Sequence, residues 1–169
     1  MLGFYENFPQ TIHKTAPFSF SISIKNLQKV ITQAFHMVNK DSFELDNITF
    51  PSIPKCKVAF ELGIADTDKF KYLDDEEKDE IIRFLKKNTF QVIDAFCVIR
   101  YYKINNEKKT PLKFDYYLIR FLFNKKIMEM EIFHERGPRY VSPEDVASFL
   151  SEKVNGNSVK KILKRLESF

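Results

Sequence analysis

The residues best suited to chemistry in this 169-residue chain lie in the stretch FHERGPRYVSPED, residues 133 to 145. His134 is a candidate general acid or base, because an imidazole changes charge near neutral pH. Arg136 and Arg139 could hold a phosphate close to the helix start signalled by Ser142 and Pro143. These three residues would form the centre of a small phosphoryl-handling enzyme. Glu144 and Asp145 work against that use, since carboxylates in the first helical turn already satisfy the helix dipole and repel an anion. Arg136 and Arg139 can instead pair with those acids, or with Glu131 and Glu135. The same stretch also makes a good strand-to-helix corner. His134 continues the inward parity of Met128, Met130 and Ile132, Gly137 gives backbone freedom, Pro138 stiffens the exit, and Ser142 caps the helix. The residues rank as a structural corner first, an anion-contacting loop second and a reactive site third.

Other chemistries find no support. Gly is scarce, at 4 residues, and Gly3, Gly63, Gly137 and Gly156 cannot be arranged into a phosphate-binding glycine loop. Cys56 and Cys97 sit in apolar runs and form no C-x-x-C pair, which argues against zinc and for a reducing compartment. Asp66 and Asp68 lack the glycine and distal glutamate of a calcium loop, and no G-x-S-x-G elbow occurs. No cofactor and no metal are expected. The N-terminus lacks a basic start and an apolar core, and no run is long enough to span a bilayer. A cytoplasmic protein without membrane contact is therefore expected.

The elements that must position these residues follow from periodicity. Phe18, Phe20, Ile22 and Ile24 alternate with Ser19, Ser21, Ser23 and Lys25, a half-buried strand. Leu27, Val30, Ile31, Ala34, Phe35 and Val38 recur at helical spacing, with Asn26 as a fair N-cap and His36 on the polar side. A weak strand follows near SFELDNITF, then a turn at PSIP. Cys56, Val58, Phe60 and Leu62 share one strand face. Asp74 followed by Glu77 opens a helix with a capping-box pattern. Three strands then run FQVIDAFCVIRYYKI, KFDYYLIRFLF and KIMEMEIF, joined by NNEKKTP and NKK, an antiparallel meander. The expected fold is α+β: a βαββαβ-like unit extended by the meander to about six strands, with helices on one face and a C-terminal helix pair. Residues 1–141 form the α+β domain and residues 142–169 the helix pair packed on it.

Charge is unevenly spread along the chain. The net charge is +4, yet residues 61–80 carry nine acidic and three basic side chains, a net of −6, and residues 100–126 carry eight basic and two acidic, a net of +6. Clusters of like charge need a solvated face or an opposite partner. Arg100, Lys103, Lys108, Lys109 and Lys113 interleave with Tyr101, Tyr102, Phe114, Tyr116 and Tyr117. Cations and rings together suit phosphates and stacked bases. Because strand 113–123 is apolar on both faces, only Tyr102 or one of Tyr116 and Tyr117 should be exposed.

The C-terminal stretch VSPEDVASFLSEKVNGNSVKKILKRLESF resembles the core helices of helix-turn-helix DNA-binding domains. Val146, Phe149 and Leu150 face inward on its first helix, and Val159, Ile162, Leu163 and Leu166 form the stripe of its second. The resemblance implies that Lys160, Lys161, Lys164 and Arg165 contact phosphate or base edges. A plain αα-hairpin covering a sheet would carry the same pattern. The expected function is a non-catalytic, nucleic-acid-associated accessory protein binding DNA or RNA phosphates through the basic meander and the last helix. The alternatives are a protein-interaction subunit of a larger assembly and the phosphoryl-handling enzyme above.

Overall fold

The computed structural model describes residues 1–49 and 55–166. Their order is β1 (Lys14–Phe20), α1 (Ile24–Val38), β2 (Ser42–Glu44), a 3-10 turn (Leu45–Asn47), β3 (Cys56–Asp66), β4 (Lys69–Tyr72), α2 (Asp75–Phe84), β5 (Val92–Asn105), β6 (Lys108–Asn124), β7 (Ile127–Arg136), α3 (Pro143–Gly156) and β8 (Leu163–Arg165). The fold is α+β. Its strands form one curled antiparallel sheet in the order β2-β3-β5-β6-β7-β1-β8, with β4 folded back on β3. The meander expected from the apolar runs is β5, β6 and β7. Its first turn is the two-residue Asn106-Glu107, both at positive φ (49° and 66°), the backbone shape that matches the twist of paired strands.

Alternation sets the core face. Cys56, Val58, Phe60, Leu62 and Ile64 of β3 are buried with Ile93, Ala95, Cys97, Ile99 and Tyr101 of β5 and Tyr117, Ile119 and Phe121 of β6. All three helices close over that side. Phe149 of α3 stacks on Phe60 with centroids 4.6 Å apart and planes 8° from parallel, and Phe35 of α1 meets Phe121 at 5.6 Å. Phe18, Phe20, Phe35, Phe60, Phe90, Phe121 and Phe149 are all buried in this core. Two capping expectations hold: the Asp74 carboxylate accepts from the Glu77 N–H, and the Ser142 hydroxyl accepts from the Asp145 N–H with Pro143 following.

Several expectations need correction. The first strand begins at Lys14 and stops at Phe20, because the Ser23 hydroxyl accepts from the Asn26 N–H and starts α1 at Ile24. Ser23, and not Asn26, is the cap. His36 is buried, with its Nε2 2.6 Å from Asp75 Oδ1, so it ties α1 to α2. Lys40 and His36 together hold the Asp75 carboxyl down to about 2. The strand near SFELDNITF is only Ser42–Glu44 before the 3-10 turn, β4 had no strong sequence signal, and the PSIP turn lies outside the described residues.

The largest correction concerns the C-terminus. No helix starts at Ser158. Residues 158–162 are irregular and Leu163–Arg165 pair with Phe18–Phe20 of β1. Asn155 explains the change: its Oδ1 accepts from the Ile162 and Leu163 N–H groups and its Nδ2 donates to the Leu163 carbonyl. These bonds hold the chain extended where a helix would need it coiled. Ile162 and Leu163 are buried, whereas Val159, the first residue of the expected stripe, is fully exposed. Among the described residues the helix pair is therefore a helix and an edge strand, and the helix-turn-helix resemblance fails at its second helix.

Candidate nucleic-acid interface

β5 and β6 are longer than the strands beside them. On one side the pairing of β5 with β3 ends at Lys103 opposite Cys56, and on the other the pairing of β6 with β7 ends at Tyr116 opposite Arg136. From Ile104 to Phe114 every residue is exposed. The hairpin tip of this β5–β6 ribbon, residues 104–109, projects beyond both neighbouring strands by roughly 10 Å at the usual rise per residue, and residues 110–114 form an open edge of β6 beside β5. Lys103 at the hairpin's base, Lys108 and Lys109 at the tip and Lys113 on the open edge are accompanied by one acid, Glu107. None of these four lysines is ion-paired with a carboxylate among the described residues. Lys109 Nζ lies 4.9 Å from the Tyr102 ring centroid. Arg100, at the ribbon's base, is neutralised: its Nε is 2.7 Å from Glu61 Oε1, and its guanidinium lies 5.6 Å from the Phe114 ring.

Lys160, Lys161, Lys164 and Arg165 do not join this group. Phe18 pairs with Met128 on one side and Arg165 on the other, and Met128 pairs with Phe123 of β6. Phe123 lies fifteen positions along β6 from Lys108, roughly 50 Å of extended strand. The two basic regions sit at opposite ends of the meander. Lys160, Lys161 and Lys164 are exposed, while Arg165 bonds Glu144 at 2.8 Å.

His134, Arg136 and Arg139 surround a carboxylate that the sequence reading did not single out. Asp115 is fully buried and accepts four hydrogen bonds: from Tyr101 Oη (2.6 Å), from His134 Nε2 (2.8 Å), and from the backbone N–H groups of Arg139 (2.6 Å) and Tyr140 (2.9 Å). Register shifts flank it on both sides, at Arg100/Tyr102 and at Tyr116/Tyr117, and such bulges re-aim side chains. Gly137, at φ 114°, is required because a Cβ there would lie 2.3 Å from the Phe114 carbonyl and 2.5 Å from Asp115 Oδ1. His134 also donates its backbone N–H to His13 Nδ1 at 2.9 Å, and its ring meets Tyr117 edge-on. Burial and the Asp115 charge push the Tyr101 and Tyr117 hydroxyls well above their ordinary range, and burial does the same for the Cys97 thiol.

This arrangement locks a corner. The His134 side chain is 11% exposed and its Nε2 is spent on Asp115. The inward parity and core-edge position expected for His134 are what the structure has. Arg136 lies over Tyr116, 5.8 Å from the ring centroid, and forms no ion pair with Glu131, Glu135, Glu144 or Asp145. Arg139 takes a positive φ of 61° and contributes its backbone to Asp115. Tyr116 is the partly exposed tyrosine of the candidates, whereas Tyr102 and Tyr117 are buried. The signal for Asp115 was present: it is a lone acid within the apolar run KFDYYLIRFLF. Asp94 in FQVIDAF is its counterpart, fully buried and held by Arg120 Nε and Nη2 at 2.7 and 2.8 Å. Among the described residues no cluster of His, Cys, Asp or Glu could hold a metal, and no helix is long and apolar enough to cross a membrane.

Compared with known protein families, with curated proteins and with solved structures, the chain matches none of them.

Proposed function

We propose that the protein binds nucleic acid through the β5–β6 ribbon, as a non-catalytic accessory factor. The observation that carries this reading is the projecting hairpin whose Lys103, Lys108, Lys109 and Lys113 have no carboxylate partner among the described residues. Long basic side chains on an exposed hairpin tip and open strand edge suit a phosphate backbone, whose contacts release counterions and dominate affinity. The locked state of His134 argues against the phosphoryl-handling alternative. Ile104 and Leu112, 39% and 38% exposed on the same ribbon, favour the protein-interaction alternative.

The test is a titration of labelled oligonucleotides at several salt concentrations. The wild-type protein should bind at micromolar concentration or tighter, with affinity falling on a log–log plot with a slope of about −3 if four phosphates are engaged. The triple variant Lys108→Glu, Lys109→Glu, Lys113→Glu should lose binding and flatten that slope. Binding unchanged in the variant, or insensitive to salt, refutes the reading.

A further inference from the structure

The sheet has a second face, and its chemistry differs from the core. Residues directly opposite on paired strands share a face. The pairs Phe96–Leu118, Val98–Tyr116 and Arg100–Phe114 therefore all point away from the helices. None of these six belongs to the core cluster. On that face Phe96 and Tyr116 stack with centroids 6.3 Å apart and planes 23° from parallel, and Phe70 of β4 meets Phe96 edge-on at 5.7 Å. Gly63 of β3 makes this possible, since a Cβ there would fall 2.1 Å from Phe96 Cε1. The Phe96 ring lies across the strand where a side chain would otherwise stand. Arg136 adds its guanidinium above Tyr116. The N-terminal residues cover part of this face: Tyr5 packs on Phe70 at 4.6 Å and Phe4 and Phe8 pack on Arg120, and Val98 and Leu118 are buried. Phe96 and Tyr116 stay partly exposed and Phe114 is 38% exposed.

We infer that this face is a stacking platform for unpaired bases, so that the ligand is single-stranded nucleic acid. The inference rests on the nucleic-acid reading above and narrows it. Phe114 and Tyr116 are two residues apart on one face of β6, about 7 Å along the strand, and each keeps part of its ring exposed beside a guanidinium, Arg100 at Phe114 and Arg136 at Tyr116. Arg136 and Lys113 flank them, and the cleft lined by Leu112, Phe114, Gly137 and Pro138 between those cations has a volume of about 500 Å³. Of the acids on the same face, Glu61 is offset by Arg100 and Asp94 by Arg120, while Glu129 and Glu131 lie farther along β7, away from Phe114. A strand stacked on Tyr116 and Phe114 continues onto Lys109, which shares the outward face with Tyr102, while Lys103 stands on the side of Cys56. A duplex keeps its base faces inside its own stack and reaches only the lysines; single strands offer π-faces to aromatic side chains.

The decisive comparison uses four probes of equal length: single-stranded RNA, single-stranded DNA, duplex DNA, and a single strand lacking its bases. Both intact single strands should bind at least about tenfold more tightly than the duplex or the base-less strand. Phe114→Ala should reduce single-strand affinity at least about fivefold, leave the base-less strand unchanged, and preserve the circular dichroism spectrum. Equal binding of all four probes, lost in Lys108→Glu/Lys109→Glu, overturns the platform and leaves the ribbon reading standing. Absence of binding to every probe, with self-association or a protein partner at the ribbon instead, overturns both. The base-less strand needs no variant, so the platform stays testable if a substitution on this face disturbs folding.

Discussion

Asp115 is the residue on which the corner between β7 and α3 depends. Its two oxygens gather a phenol, an imidazole and two backbone amides from four different positions along the chain, all in a site closed to water. A buried acceptor removed from such a network leaves its donors unsatisfied, and each unsatisfied donor carries a desolvation cost. Asp115→Ala should therefore destabilise the fold by about 3–4 kcal/mol, read as a lowered urea midpoint. His134→Gln, which keeps a donor of similar reach, should cost about 1 kcal/mol. A near-neutral Asp115→Ala would mean that the 137–140 loop is held by something other than this carboxylate. The same network gives a structural role to a histidine beside two arginines. His134 Nε2 is committed to Asp115, Arg139 serves through its backbone, and Arg136 turns to Tyr116 on the opposite face.

Asn155 decides an element. The C-terminal stripe of Val159, Ile162, Leu163 and Leu166 has helical spacing, and on periodicity alone a helix follows. The chain takes the other course because Asn155 captures the Ile162 and Leu163 amides and because β1 offers an unpaired edge at Phe18–Phe20. Tertiary pairing overrides local preference. Asn155→Ala should free β8 from α3 while leaving the rest of the sheet intact. Hydrogen exchange at the Leu163 and Arg165 amides should accelerate at least about tenfold, with little change at Ile119 or Met130. Equal protection in variant and wild type would place the hold on β8 entirely in its pairing with β1. The comparison shows what the sequence made legible. Elements with a strict period and a local cap (β3, β5, β6, α2, α3) are where their patterns put them. Elements set by a partner distant in sequence, such as β8 and the short β4, carried no local signal. Asp115 lies between these cases: its type and apolar surroundings flagged a buried acid, but its donors come from residues that only the fold brings together.

At the scale of the molecule, the sheet separates charges that the sequence left free to converge. Composition located both basic regions and the acidic α2 correctly along the chain. Their arrangement in space depends on strand order, and the order β6-β7-β1-β8 puts β8 three strands from the ribbon's second strand and at the far end of the meander. A single patch uniting Lys108 with Lys160 is excluded by this register. At physiological salt the Debye length is about 8 Å, so charges separated by roughly 50 Å of strand do not reinforce each other at one short ligand. Reversing β8-side charges with Lys160→Glu, Lys161→Glu and Lys164→Glu should therefore change oligonucleotide affinity by less than about twofold and leave the salt slope unaltered. The ribbon variant should remove binding under the same conditions. An oligonucleotide long enough to bridge both ends would begin to feel the β8 lysines, and the slope should then steepen with probe length in the wild type and not in the β8 variant. Loss of short-probe binding in the β8 variant would show that phosphate contact is made at the sheet's far edge, and that the projecting hairpin serves a different partner.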